Sequence, residues 1–236
     1  MEIVNMKKIF VIILFSLLVF NKGYAADGKG EATEYTITMK KVELCEDAAC
    51  TVSTTVGETD LLANIASATA GADVGSYAAT TGLPIGTTFT HLRVTISRTF
   101  TITGSVVLAG NDCFTDGQAD SAQTQMLVGT IVEADVLSST MIISTAGGYT
   151  AATGARAGDV GDGLINISYA APEHATSISI DGDNAVMIYA LTNSYTVGVK
   201  APTIRIKFNT TTAIGADNTA CAMWVDEPEV TIALVD

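Results

Sequence analysis

The segment HLRVTISRTFTIT, from His91 to Thr103, alternates between apolar and polar side chains and decides the fold class. Such an alternation, with a period of two, is typical of a β-strand with one buried face. Arg98 alone interrupts the apolar face. We predict a bend at Arg98, in preference to a strand end in solvent or a buried ion pair, because a strand of this length usually curves. The apolar side chains fall on even positions: Leu92, Val94, Ile96, Phe100 and Ile102.

Short apolar or alternating runs of the same kind recur along the chain, separated by clusters of Gly, Asn, Asp and Thr. Branched residues favour strands, and these separators favour turns. Roughly ten to twelve strands at hairpin spacing predict an all-β fold, an antiparallel β-sandwich of immunoglobulin-like or jelly-roll type. The predicted runs are 35–44, 105–110, 129–137, 140–144, 164–170, 176–180, 185–191, 195–199, 203–208 and 229–235.

The first of these runs, YTITMKKVEL, changes its apolar phase from odd to even positions halfway along. A shift of one residue turns every side chain to the other face, so we predict a β-bulge near Lys40–Lys41. Two adjacent lysines also favour an edge strand. The apolar positions are Tyr35, Ile37 and Met39 before the shift, and Val42 and Leu44 after it.

One short helix is predicted at ETDLLANIASA, Glu58 to Ala68. Thr59 or Asp60 is suited to cap its first turn, and apolar residues follow at helical spacing. A glycine-rich loop follows it.

Two stretches carry a resemblance. YTITMKKVELC and LPIGTTFTHLRVTISRTF together resemble bacterial secreted domains with an immunoglobulin-like or prealbumin-like sandwich. The resemblance implies the fold and no particular activity, since such domains are mostly of unassigned function.

The first 25 residues have the layout of a secretory signal peptide. A basic start at Lys7 and Lys8 precedes a twelve-residue apolar run, Ile9 to Phe20, which is too short to span a bilayer as a helix. We expect cleavage between Ala25 and Ala26, then a flexible arm over 26–34, and one sandwich domain over 35–236. The predicted location is extracellular or at the cell surface, after export through the periplasm, with no membrane span in the processed chain.

The charge balance excludes one class of partner. Asp and Glu number 25 against 12 Lys and Arg, which gives a net charge of −13. Nucleic acids and anionic membranes bind clustered cations, which the sequence lacks. We predict no nucleic-acid partner.

Four cysteines in a secreted chain predict two disulfides. Of the three pairings, Cys45–Cys50 with Cys113–Cys221 is preferred, because the near pair flanks a loop short enough for a tight hairpin. A redox pair and a metal site are the alternatives. Glu46 and Asp47 would raise a thiol pKa, whereas reactive cysteines need it lowered, and further zinc ligands at suitable spacing are missing.

No catalytic residues are predicted, and we expect no enzyme. His91 lies on the polar side of its strand and should be exposed, whereas His174 lies in a loop beside Glu173. No nucleophile-elbow motif accompanies them.

Calcium is the one ion that the sequence suggests, and no other cofactor is predicted. Oxygen-rich loops place Asp159 and Asp162 in DVGDG, and Asp181 and Asp183 in DGDN. Neither loop fits the EF-hand pattern. Plain turns are the alternative, because Asp, Asn and Gly favour turn geometry.

The predicted function is a secreted structural subunit of a bacterial cell-surface assembly, a filament or pilus-like appendage with strands exchanged between copies. Its partner would be itself, as a homo-polymer, or another surface protein. Segments 26–44 and 229–235 are the candidate donor strands. The alternative is a monomeric extracellular binding or adhesion domain that uses loops 66–88 and 145–163. The candidate subunit contacts are Tyr35, Ile37, Met39, Val230, Ile232 and Leu234.

Overall fold

The computed structural model describes residues 28–66, 80–108, 112–117, 124–125, 127–129, 136–142, 155–156, 165–166, 174–216 and 221–235. Within these ranges the protein is all-β, its sheets are antiparallel, and no helix is present. The strands are β1 (Gly28–Gly30), β2 (Ala32–Cys45), β3 (Ser53–Gly57), β4 (Leu61–Asn64), β5 (Thr88–Ser97), β6 (Thr99–Val107), β7 (Asp112–Phe114), β8 (Thr124–Gln125), β9 (Leu127–Gly129), β10 (Ser139–Ile142), β11 (Ala155–Arg156), β12 (Ile165–Asn166), β13 (Ser177–Asp181), β14 (Asn184–Thr196), β15 (Thr203–Asn209), β16 (Ile214–Ala216), β17 (Ala222–Val225) and β18 (Glu229–Val235).

Strand β2 lies inside the largest sheet, and the prediction of an edge strand is wrong. It pairs with β5 and β6 along one edge and with β3 and β4 along the other. The register with β5 shifts between Met39 and Lys41, which confirms the predicted bulge. The two lysines therefore mark the bulge, where the apolar side chains change phase while staying on one face.

The bend at Arg98 is confirmed. Strand β5 ends at Ser97, β6 begins at Thr99, and both run antiparallel to β2. On the edge that faces away from β2, β5 pairs with β14, whereas β6 pairs with β10. Arg98 is tied to the β13–β14 turn, because its backbone N–H donates to the Asp183 carbonyl and its Nη1 donates to the Gly182 carbonyl, each at 3.0 Å.

The helix predicted over 58–68 is wrong for the described residues 58–66. Leu61–Asn64 forms β4, which pairs with β2. Asn64 Oδ1 accepts the N–H of Tyr35 at 3.1 Å and of Ala66 at 3.2 Å. The open edge of β2 supplies backbone partners, and a helix this short is marginal without tertiary support. Residues 67–68 lie outside the described residues.

Residues 28–34, predicted as part of a flexible arm, are paired in the structure. Strand β1 pairs with β16, and β2 begins at Ala32. A Cβ at Gly30 would overlap the Ser105 carbonyl, and one at Gly104 would overlap the Glu31 carbonyl. The glycines thus permit a close backbone crossing. Residues 26–27 and the signal-peptide segment lie outside the described residues.

One continuous apolar core unites the large sheet with two smaller ones, β1-β16-β17-β8 and β15–β18. Leu92, Ile96, Phe100 and Ile102 are at most 4% exposed, as the alternation predicted. Apolar side chains of the large sheet and of β15–β18 line a partly open cavity of about 50 Å³.

The six candidate subunit contacts also lie in this core. Five are buried in their own chain, and Leu234 is half-buried against them. Both predicted donor segments therefore pair within the single chain. Among the described residues, no helix has the length and apolar character that a membrane span requires.

Candidate functional site

The loop between β2 and β3, residues 46–52, is closed by the predicted disulfide Cys45–Cys50 and is called the stapled loop below. The two Cα atoms are 4.9 Å apart. The Asp47 carboxylate accepts the N–H groups of Ala49, Thr51 and Val52 at 2.9–3.2 Å and the Thr51 hydroxyl at 2.5 Å. These bonds, with the hydroxyl first, lower the pKa of Asp47 to about 2. The Asp47 carboxylate therefore holds the backbone of the stapled loop in one conformation.

An ion pair between the partly buried Arg93 and the buried Glu43 anchors the base of the stapled loop. Arg93 Nε donates to Glu43 Oε2 at 2.7 Å, and Nη2 donates to Oε1 at 2.9 Å. The same guanidinium reaches the Cys50 carbonyl and the Ser53 hydroxyl, each at 3.2 Å. Although burial raises it, the pKa of Glu43 is lowered to about 2, chiefly by the Arg93 hydrogen bonds. Arg93 thus joins the disulfide loop to the central sheet.

His91, predicted to be exposed, is half-buried next to this loop. Its Nδ1 lies 2.8 Å from the Thr90 hydroxyl, which also donates to the Glu46 carbonyl at 3.0 Å. Burial lowers the pKa of His91, against a smaller opposing effect of Asp47. The alternation along the strand predicted that His91 is exposed, because it gives no information about the loop that folds over this end of β5.

The second predicted disulfide is confirmed as well. Cys113 on β7 bonds Cys221, which directly precedes β17, across a separation of 108 residues. Both side chains are buried, and none of the described cysteines is free. The four cysteines are therefore structural, and the metal and redox alternatives for them are set aside.

A second group of charges is buried where β17 leads into β18. Asp226 and Glu227 are 4% and 2% exposed. Lys29 Nζ, on β1, forms an ion pair with Asp226 Oδ2, whereas Asp226 Oδ1 accepts the N–H of Glu227 at 2.9 Å. The Tyr35 hydroxyl donates to the Asp226 carbonyl at 3.0 Å. Lys29 and Asp226 are called the amine–carboxylate pair below.

Glu227 points to a different neighbour. Its Oε1 accepts the N–H of Ala175 at 2.8 Å, and its Oε2 lies 3.6 Å from His174 Nδ1. His174 is itself buried. The sequence pattern placed His174 in a loop beside Glu173, and its contact with Glu227, which is distant in sequence, was missed.

Lys29, Asp226 and Glu227 were not among the residues predicted from the sequence. The available signal was the adjacent acid pair in WVDEPEV, set between two apolar strands. Charged residues are seldom fully buried unless they are paired. An acid pair in that position therefore indicates a partner that is distant in sequence.

The candidate calcium residues divide into two groups. Asp181 and Asp183 belong to the tight turn between β13 and β14, where Asp181 pairs with Asn184 and Gly182 has a φ of 58°. Asp159 and Asp162 lie outside the described residues. Among the residues described, no three His, Cys, Asp or Glu side chains cluster as a metal site. The observed geometry is that of a turn, and calcium stays a prediction.

Comparisons with known proteins give no relative: no protein-family model, curated protein or solved structure matches this chain.

Proposed function

We propose that the chain is a secreted structural subunit of a bacterial cell-surface assembly, built as an immunoglobulin-like or jelly-roll β-sandwich. The observation that carries this proposal is that two disulfides cross-link an all-β chain. One disulfide pins a hairpin loop, and the other spans 108 residues. Disulfides persist in oxidising, extracellular compartments. The strong negative charge suits a soluble surface component, and the charged groups that are buried hold strands and loops together.

The strand pairing favours the C-terminal donor segment over the N-terminal one. Among the described strands, β18 pairs only with β15, whereas β2 is paired along both edges. Val230 and Ile232 of β18 are buried in the core, as the anchors of a donated strand would be. We therefore propose that any strand exchange between copies uses β18, with the same apolar contacts made in the neighbouring subunit.

Two engineered disulfide locks test this mechanism. Arg205 and Ala233 are register partners across β15 and β18, and Thr38 and Leu62 are partners across β2 and β4. Cysteines at the first pair would hold β18 in its own chain, and cysteines at the second would hold β2. The readout is electron microscopy and size-exclusion chromatography of oxidised protein, before and after reduction of the lock, with the pairing verified by mass mapping.

We expect ordered polymers from the wild-type protein, a block by the β15–β18 lock that reduction relieves, and no effect of the β2–β4 lock. A block by the β2–β4 lock alone would move the donor to the N-terminal segment. Assembly with both locks closed would overturn strand exchange but keep the subunit role. Wild-type monomers at high concentration, with calcium added, would overturn the subunit role itself.

A monomeric binding or adhesion domain is the second candidate, and one observation favours it. The stapled loop exposes Glu46, Ala48, Ala49 and Thr51 on a base that Arg93 and the disulfide make rigid. A preorganised loop binds without a large ordering cost. Monomers in the assembly experiment would favour this candidate, with the stapled loop as the surface to mutate first.

A further inference from the structure

The amine–carboxylate pair joins regions near the two ends of the described chain. Lys29 lies on the first described strand and Asp226 directly after β17, 197 positions apart. The Asp226 side chain is 3% exposed and the Lys29 side chain 20%. A charged pair withdrawn from water is expensive, and transfer of one proton from the ammonium to the carboxylate removes both charges.

The neutral forms of these two groups are the reactive ones. A free amine is a nucleophile, and an uncharged carboxyl carbon is an electrophile. Two further contacts position Asp226: the Glu227 N–H donates to Oδ1 of its carboxyl group, and the Tyr35 hydroxyl donates to its backbone carbonyl. The Glu227 N–H also lies where negative charge develops on Oδ1 when an amine adds to Cγ, and such a donor stabilises the addition.

We propose that Lys29 and Asp226 form an intramolecular amide bond, which closes the chain covalently without an enzyme or a cofactor. Lys29 Nζ bonds to Asp226 Cγ, and the bond from Cγ to Oδ2 breaks. Of the three ammonium hydrogens, one stays on the amide nitrogen and two leave with Oδ2 as water. No electrons are exchanged with another molecule, and the reaction needs no other reactant. Because the fold keeps the amine beside the carboxyl group, the effective concentration of the amine at Cγ is high.

The chain contains a matched pair that should not react. Lys41 Nζ lies 3.2 Å from Glu43 Oε1. There the carboxylate is held by two hydrogen bonds from Arg93, which keep it charged and therefore a poor electrophile. Lys41 is also the more exposed of the two lysines, with a side-chain exposure of 32%. It serves as the internal control.

Intact-mass measurement of the wild-type protein, after full reduction and alkylation of its disulfides, is the direct test. We expect a mass lower by one water molecule than the processed sequence requires. Lys29→Arg, which keeps the charge but cannot act as an amine nucleophile, should restore the full mass. Lys41→Arg should keep the loss. The measurement does not depend on whether the protein assembles. The amide bond and the proposed subunit role can therefore be refuted separately.

Water can also be lost at Asp–Gly steps, which cyclise to succinimides, and the chain contains four such steps, at Asp27–Gly28, Asp116–Gly117, Asp162–Gly163 and Asp181–Gly182. Tryptic mapping separates the two reactions. No Lys or Arg follows Lys207, so Asp226 lies on the C-terminal peptide 208–236. The amide predicts that this peptide is joined to one that ends at Lys40 and remains uncut after Lys29.

The joined peptide in wild-type protein and its absence in Lys29→Arg would establish the cross-link. A full-length mass for folded wild-type protein, or a water loss that maps to an Asp–Gly step and persists in Lys29→Arg, would overturn it and leave an ion pair. The wild-type measurement decides the question even where the variant fails to fold.

Discussion

Arg93 and Glu43 face each other across β5 and β2 and form two parallel hydrogen bonds of 2.7 and 2.9 Å. This arrangement is the fork geometry in which guanidinium and carboxylate bind most strongly. Because Arg93 also reaches the Cys50 carbonyl, the central sheet and the stapled loop share one charged anchor.

Arg93→Met should therefore lower the free energy of unfolding by about 3 kcal/mol, since it leaves the Glu43 carboxylate buried without its main partner. Urea unfolding measures the change. Arg205→Met on β15, where the side chain is exposed, is the control and should stay within about 0.5 kcal/mol. Equal losses in the two variants would contradict the anchoring role of Arg93.

Glu43 should also set part of the acid sensitivity of the protein. Its pKa is about 2 in the folded chain, against an ordinary value of 4.5. The folded-state pKa is the lower one, so the unfolded chain binds the proton more readily, and the stabilisation is present above pH 4.5 and is lost as pH falls towards about 2. We expect unfolding free energies of the wild type to fall more steeply over this window than those of Glu43→Gln. Parallel curves for the two proteins would refute this assignment.

The sequence predicted the parts of the fold that depend on local periodicity. The alternation from Leu92 to Ile102, the bulge beside Lys41 and the bend at Arg98 each follow from which face of a strand a side chain occupies. The cysteine pairing followed from loop length. None of these inferences needed a distant contact.

The wrong predictions have a common physical cause, which is pairing between segments distant in sequence. Leu61–Asn64 is a strand, not a helix, because β2 offers an open edge with which it pairs. Asp226 was missed because its partner lies 197 positions away. Tertiary context of this kind overrides local propensity, and one sequence does not reveal it.

The close contact between Gly215 and the Trp224 ring allows a test of the packing in the sheet β1-β16-β17-β8. It pairs with Trp224 on β17, and a Cβ at this position would overlap the indole ring, which is 2% exposed. We expect Gly215→Ala to cost about 1–3 kcal/mol, because the rigid ring must move within a packed core. The chain has one tryptophan, so its fluorescence emission should shift as well.

Gly198→Ala is the matched control for this substitution. Gly198 is exposed, and no atom lies within 4 Å of a Cβ built there. Its unfolding free energy and Trp224 emission should remain at the wild-type values. An unchanged emission spectrum in Gly215→Ala would show that the ring does not lie against this glycine.

The two disulfides should contribute unequally to stability, in the order of the loops that they close. In the chain-entropy model a cross-link stabilises by restricting the unfolded chain, and the effect grows with loop length. Replacing Cys113 and Cys221, which are 108 residues apart, with alanine should cost about 4–5 kcal/mol, and replacing Cys45 and Cys50 should cost about 2 kcal/mol.

Chemical denaturation of the two double-alanine variants measures this order, provided that Lys29 and Asp226 are in the same bonded state in both. A covalent link between those residues would already close most of the chain and would shrink the loop entropy left to Cys113–Cys221. The double-alanine variant at 113 and 221 should therefore lose more stability in the Lys29→Arg background than in the wild type. Equal losses in the two backgrounds would show that the amine–carboxylate pair does not constrain the unfolded chain.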